Sequence, residues 1–466
     1  MSTIWDRILK SPLGSGRAYE RLADAIAIAI AGGELQSGDR LPTQRDVVAK
    51  LGVAIGTVTR AYSELERRGL VVGKVGSGTY VSSFADVPGV VAQSSSRSII
   101  DMTTSRPPPE GSAIHLANAL RVLSKRRDII DLLGTEPPNG SPRHRIMAAR
   151  WIARRTQAVE PNQIVMCNGV QHALSTIFAA LANIGDTIAT EELNYPGIKL
   201  LADLHRINLV GVPMDENGIR ADSLAELCRR LNVRFVLCSP TAHNPTTIMM
   251  SEERRTQLAA LAGRYNFLIV ENDILGMMPA DQRLALRDLA PRRTIYVTGL
   301  SKVTAAGLRL GMIVAPGSLM QPLMSAVRST TWMPQPLTLE IFSIWVENGS
   351  IDQIVHWHRQ EITTRRAIAI DLLGSQRIRS DPSCYHLWLT LPASWTSDDF
   401  ANEAYGQGVL LSPSDVFTIG SSLAPGAARI SLGSPNSHDR LSRGLAVLGT
   451  LLREPRAPTE RSVLLP

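Results

Sequence analysis

Between residues 163 and 299, short apolar runs recur with helical stretches between them, and this rhythm limits the fold more than any other feature of the chain. QIVMC (163–167), TIAT (187–190), FVLCS (235–239), FLIVE (267–271) and TIYVTG (294–299) are near-continuous in apolar character rather than alternating, as strands covered on both faces are. HALSTIFAALAN (172–183) and EERRTQLAALAGRY (252–265) separate them as helices. That order predicts a largely parallel α/β sheet buried between helical layers. There is no internal repeat.

The start of the chain has a different period. In RAYERLADAIAIAIAGG, Leu22, Ile26 and Ala29 share one helical face, and Gly32-Gly33 stop it. Thr43 and Asp46 in LPTQRDVVAKLG have the spacing of a capping box and start a second helix. After the turn at Gly52, Val58, Ala61, Tyr62 and Leu65 form an apolar stripe on a third helix, leaving Thr57, Thr59, Arg60, Glu64 and Arg67 on its other faces. LVVG and TYVSS then flank KVGSG, a glycine-rich hairpin tip. The two parts are joined by a Ser- and Pro-rich stretch, VPGVVAQSSSRS and SRPPPEGS, and EPRAPTERSVLLP reads as a loose tail.

A chain of 466 residues has room for two or three domains, and 44% hydrophobic residues supply their cores. A net charge of +7 permits nucleic-acid binding without requiring it. The four cysteines form no C-x-x-C pair and read as buried fillers in a reducing compartment. The opening MSTIWDRILK lacks an apolar leader, and LADAIAIAIA (22–31) is too short for a bilayer and contains Asp24, so a cytoplasmic protein without membrane contact is expected. His356 and His358 in VHWHRQ point apart on a helix and read as structural or solvated, with no metal site.

Three helices and a ribbon in this order make a winged helix-turn-helix, whose second motif helix enters the major groove. GELQSGDRLPTQRDVVAKLGVAIGTVTRAYSELERRGLVVGKVGSGTYV resembles the GntR-family DNA-binding domain, with its L-P-x-x-R, G-T-V-x-x-A-Y and G-x-G-T-[FY]-V segments. The resemblance implies that Arg45 contacts DNA, that Thr57, Thr59 and Arg60 lie on or near the DNA face, and that Gly76 to Thr79, Gly78 among them, form the wing. Where the family usually has Ser-Arg, this chain has Ala54-Ile55.

The second part offers an ordered set of candidates for a phosphorylated aldehyde. Gly169-Val170-Gln171 lie between a strand and a helix, where backbone N–H groups hold phosphate. Tyr195 suits stacking on a flat ring, Asn244 suits a ring hydroxyl, Lys302 in GLSKVTAAGLRLG suits imine formation, Arg309 suits the phosphate, and Arg429 has the fork that pairs with a carboxylate. Together they resemble the fold-type I aminotransferases, and the whole chain resembles the MocR/GabR subfamily of GntR regulators.

The resemblance implies pyridoxal 5'-phosphate on Lys302, with Arg309, Val170 and Gln171 at the phosphate, Tyr195 and Asn244 at the ring, Asn272 at the ring-nitrogen position and Arg429 as the substrate-carboxylate clamp. Two departures stand out. The family's E-D-x-x-Y reads here Glu271-Asn272-Asp273-Ile274-Leu275, and Gly299 stands for the first Ser of S-x-S-K. Asparagine cannot hold the pyridinium proton by charge, so imine exchange is expected to survive better than turnover.

The expected architecture is multidomain: a winged helix-turn-helix (α+β) at 11–82, a linker at 83–112, an α/β fold-type I PLP-dependent transferase domain with large and small subdomains at 113–453, and a flexible tail at 454–466. The expected function is a homodimeric transcriptional regulator that binds an operator in double-stranded DNA and senses an amino compound through aldimine exchange at Lys302. Two alternatives stand beside it: a working aminotransferase with an appended DNA-binding domain, and a GntR regulator whose large domain no longer binds PLP.

Overall fold

A computed structural model describes residues 17–31, 34–35, 39–67, 70–74, 78–81, 99–281, 283–420 and 423–453. The chain divides into two units, Met1–Ser95 and Ser96–Pro466.

In the first unit α1 (Ala18–Ala31), α2 (Gln44–Leu51) and α3 (Ile55–Arg67) precede a hairpin of β1 (Val71–Lys74) and β2 (Gly78–Val81). The apolar stripes are buried: Leu22, Ile26 and Ala29 of α1 join Val58, Ala61, Tyr62 and Leu65 of α3, with Val47, Val71 and Val81, in one core. At the start of α2 the Thr43 hydroxyl accepts from the Asp46 N–H, and the Asp46 carboxylate accepts from the Thr43 N–H, the reciprocal box that the spacing calls for. Gly52 ends that helix at φ +64°, where a side chain is strained. The Tyr62 hydroxyl donates to the Pro42 carbonyl at 2.8 Å, fixing α3 against the entry to α2. Strands β1 and β2 pair antiparallel, Val71 with Val81 and Lys74 with Gly78. Gly32-Gly33 and the wing tip 75–77, Gly76 included, lie outside the described residues.

The second unit opens with β3 (Ile100–Asp101) and is built on a seven-stranded sheet. Its strands are β4 (Ile164–Cys167), β5 (Thr187–Glu191), β6 (Asn208–Val212) and, after a small hairpin of β7 (Met214–Asp215) and β8 (Gly218–Ile219), β9 (Val233–Cys238), β10 (Leu268–Asn272), β11 (Thr294–Gly299) and β12 (Gly311–Val314). The order is β4-β12-β11-β10-β9-β5-β6, parallel except that β12 runs against both neighbours. Strands β4, β9 and β11 are buried along their length except at Arg234, which explains their unbroken apolar runs. Helices α4 (Glu110–Leu123), α5 (Pro142–Ile152) and α6 (Val170–Leu181) lie early in this unit. A second, antiparallel sheet of β13 (Ile378–Ser380), β14 (His386–Thr390), β17 (Ala427–Ser431) and β16 (Ser412–Pro413) packs in a separate core with helices Ser350–Leu373 and His438–Arg453.

One boundary differs from expectation. Of the expected linker 83–112, residues 83–98 lie outside the described residues, but 99–112 are built into the second unit, which starts well before residue 113. β3 pairs in parallel with β15 (Val409–Leu410), and Ile100 and Met102 are buried in the smaller core. These two apolar residues within a Ser/Pro-rich stretch have a sheet edge to occupy, and that settles their place.

Candidate functional site

The residues expected in the pocket come from distant segments to one end of the seven-stranded sheet. Val170 and Gln171 start α6 directly after β4; Tyr195 follows β5, Asn244 follows β9, Asn272 ends β10, and Lys302 and Arg309 follow β11. This is the carboxyl edge of the parallel strands, where open α/β sheets bind ligands. Arg429 comes from β17 of the other sheet.

At the start of α6 the first N–H groups have no intrahelical acceptor. Gly169 precedes them at φ +92°, and a Cβ there would stand 2.7 Å from Nη2 of Arg309, so the guanidinium lies directly over this backbone. Arg309 Nη1 also donates to Ser301 Oγ at 3.3 Å. The Gln171 side chain is turned elsewhere: its Nε2 donates to the Gly197 carbonyl at 2.9 Å, which leaves the backbone N–H as its group at the helix end. At Gly299, a Cβ would stand 2.5 Å from the Leu310 carbonyl oxygen and 2.9 Å from Val170 Cγ2, so β11 passes too close to its neighbours to carry serine there.

Lys302 Nζ donates to the Ser105 carbonyl. Burial pushes its pKa down to about 8, and the positive charges of Arg429 and Arg309 add to the shift. Arg429 is buried and donates to Asn244 Oδ1 at 2.8 Å, to the Thr103 carbonyl, and to Ser412 Oγ at 3.4 Å. Its Nε has no partner, and its guanidinium carbon stands 4.8 Å from the centre of the Phe417 ring. Burial lowers its pKa to about 10 against the pull of Tyr195 and Asp101. Tyr195 is 40% exposed, and desolvation raises its phenol while Arg309 and Arg429 oppose the rise. Among the described residues, none of the three cations Lys302, Arg309 and Arg429 has a carboxylate partner within ion-pair distance. Lys302 thus lies within electrostatic reach of two further cations, Arg429 and Arg309.

Asn272 is buried; its Nδ2 donates to Ser239 Oγ at 3.2 Å and its Oδ1 has no partner. The neighbouring acid is not a substitute. Asp273 is fully buried on Arg155, Nε to Oδ2 at 2.9 Å, and accepts from the Tyr296 hydroxyl at 3.1 Å. Glu271 is occupied too, accepting from the N–H groups of Leu286 and Arg287 at 2.9 Å each. Leu275 packs in the core with Met277 and Tyr296.

Sequence reasoning missed four positions. Thr103 and Ser105 lie in the stretch assigned to a linker, yet their carbonyls receive Arg429 and Lys302. His386, on β14, sits with Nδ1 3.3 Å from Ser105 Oγ, and burial followed by Arg429 holds it well below the usual histidine range. Arg155 decides where Asp273 points. An apolar pair at 100 and 102 was the only local signal for the first two; the last two had none. His358 is locked by Tyr385 OH at 2.7 Å and the Thr304 carbonyl at 2.9 Å, while His356 faces solvent.

In the first unit Arg45, Thr59 and Arg60 are exposed and Thr57 is half-buried. Thr59 Oγ1 donates to Gln44 Oε1 at 2.8 Å, joining α3 to α2 on the outer face. Gly78 has φ +119°, and a Cβ there would stand 2.9 Å from Arg40 Nε, so the Arg40 side chain runs along the base of the wing.

Comparison with known proteins agrees with both halves. Residues 97–445 match the family Aminotransferase class I and II, and residues 18–81 match Bacterial regulatory proteins, gntR family. The chain is 26% identical over 434 residues to the uncharacterised HTH-type transcriptional regulator YdeF of Bacillus subtilis, covering 93% of this chain and 94% of that protein. It is 27% identical over 461 residues to the HTH-type transcriptional regulator TauR of Rhodobacter capsulatus, covering 87% and 91%. Among solved structures, an archaeal alanine:glyoxylate aminotransferase shares the fold at a TM-score of 0.71 and 23% identity, covering 91% of this chain and 98% of that one. A kynurenine aminotransferase of Pyrococcus horikoshii does so at 0.71 and 22%, covering 77% and 91%.

Proposed function

The chain belongs to the aminotransferase class I and II family and carries a gntR-family DNA-binding domain ahead of it, and from that premise we propose a transcriptional regulator that senses a small amino compound through pyridoxal 5'-phosphate held at Lys302. The observation that carries this reading is the group of three cations, Lys302, Arg309 and Arg429, that lack a carboxylate partner among the described residues beside the free N–H groups of α6. A phosphate and a carboxylate are the two anions such a site accommodates.

The residues fit the cofactor. Buried Oδ1 of Asn272, without a partner, is an acceptor for a ring N–H, and Asn244, its Oδ1 taken by Arg429, keeps its Nδ2 as a donor for a ring hydroxyl. When bound, pyridoxal 5'-phosphate would supply an aldehyde carbon that condenses with amines with loss of water, so that one amine can replace another. Lys302, lowered to about 8, is partly neutral near physiological pH and so able to act as a nucleophile. Arg309 and the start of α6 would hold its phosphate, and Arg429 would take the carboxylate of an incoming amino acid. Asn272 offers no negative charge to the ring nitrogen and Asp273 is tied to Arg155, which favours sensing over turnover.

Sensing requires two states that differ in DNA affinity. A homodimer would present two winged helices to paired half-sites. The exposed side chains Ile114, Leu120, Ile129, Ile130 and Leu133 support it as apolar surface that a second copy would cover.

The test is the visible spectrum of purified protein with and without borohydride, beside Lys302→Ala. An imine band that borohydride bleaches in wild type and that the variant lacks is expected; identical spectra would sink the cofactor half. For the DNA half, Arg45→Ala should weaken binding and lower the salt slope by about 1.

A further inference from the structure

Among the described residues, helix α3 carries one large apolar side chain that its core does not account for. Ile55, its first residue, is 55% exposed, and Ala54 before it and Gly56 after it are exposed as well. Ile55 stands three and seven residues before Val58 and Tyr62, at the edge of the buried stripe Val58, Ala61, Tyr62 and Leu65, yet it stays outside that core, so packing among the described residues leaves over half of this isoleucine bare. Thr59 and Ser63, four and eight residues on from Ile55, continue its exposed face, and Arg60 follows Gly56 at the same spacing. The Thr59 hydroxyl is already committed to Gln44 and to the Ile55 carbonyl. What remains at the leading end of the face is aliphatic surface.

In a helix-turn-helix the first residues of the second motif helix reach base edges in the major groove, while phosphate contacts position the protein without reading sequence. An isoleucine offers no donor or acceptor to those edges. Pressed against guanine or cytosine it would leave polar atoms desolvated and unpaired. The major groove has one apolar group, the 5-methyl of thymine. We propose that Ile55, with Ala54 beside it, reads thymine in the operator through that methyl group, at a position where an arginine would read guanine. The proposal rests on the DNA-binding function of the first unit and is independent of the pocket in the second.

The full-length protein is used to select duplexes from a randomised library, and the preferred sequence is remade with deoxyuridine in place of each thymidine in turn. That exchange removes the methyl and leaves every hydrogen-bonding group. At one thymine in each half-site, it should weaken wild-type binding by about fourfold, the worth of one buried methyl. The same exchange should cost Ile55→Ala little, and Ile55→Arg should move the selected base there toward guanine. Ile55→Ala should keep the wild-type salt slope, because no phosphate contact is lost, and melt with the wild type, because the side chain is exposed. Wild-type affinity indifferent to deoxyuridine at every thymine would overturn the proposal while leaving DNA binding intact. A lowered melting temperature of Ile55→Ala would instead make Ile55 a packing residue. Failure of wild-type protein to enrich any sequence would remove the DNA-reading function and this proposal together.

Discussion

Replacing Lys302 with methionine should stabilise the cofactor-free protein, by an amount that falls as pH rises. The reason is the direction of the lysine's shift. Its folded pKa is lowered from 10.5 to about 8, mainly by burial, with Arg429 and Arg309 adding to it. Below pH 8 the amine is protonated in both states, and the folded state bears the whole cost of a charge held out of water beside two others. Between 8 and 10.5 the unfolded chain binds more protons than the folded one, so the wild type gains stability with pH; above 10.5 both forms are neutral and the cost is gone. The gap of about 2.5 pH units corresponds to about 3 kcal/mol. Methionine keeps a long apolar stem without the charge, at the loss of one hydrogen bond to the Ser105 carbonyl, worth about 1 kcal/mol at every pH. Urea unfolding of both proteins at pH 7 and pH 10 measures the difference, since titrations common to both cancel. A net gain of about 2 kcal/mol at pH 7 that shrinks or reverses by pH 10 is expected. A difference independent of pH would refute the depressed pKa, and with it the account of how Lys302 becomes reactive.

Three further outcomes follow from the same geometry. Gly299→Ser should lower melting temperature and weaken uptake of pyridoxal phosphate, because its Cβ meets the Leu310 carbonyl and Val170; overpacking of this kind costs about 1–3 kcal/mol, and improved uptake would contradict it. Arg155→Met should destabilise by about 3–5 kcal/mol in urea unfolding, since it leaves Asp273 buried without its cation, and a neutral result would show that Asp273 is not held as a charge. Asn272→Asp should speed conversion of bound cofactor by amino donors at least about tenfold, followed in a stopped-flow spectrum, because a carboxylate then faces the ring nitrogen; an unchanged rate would place the barrier elsewhere.

The local chemistry of the sequence determined much of this protein. Period and turn residues laid out α1 to α3, the Thr43–Asp46 box and the wing strands, because those features depend on neighbours a few positions away. The apolar runs at 163–167, 235–239, 267–271 and 294–299 pointed to buried strands, and residues just past their ends had to share one edge of the sheet. Other decisions needed the folded chain. The segment 99–106 reads as linker until Ile100 finds the edge of Val409 and Met102 a core, and only then do the Thr103 and Ser105 carbonyls receive Arg429 and Lys302. Asp273 and Asn272 are adjacent in sequence, yet one is turned onto Arg155 and the other left with an unpartnered oxygen. No local pattern carries that distinction, because it is made by a residue 118 positions away (273 − 155 = 118). The lowered pKa of Lys302 is likewise collective, arising from burial and from cations contributed by a loop and by a second sheet. Sequence sets which groups are available, through short-range periodicity; the tertiary structure sets which of them face one another, because electrostatics and desolvation act through space.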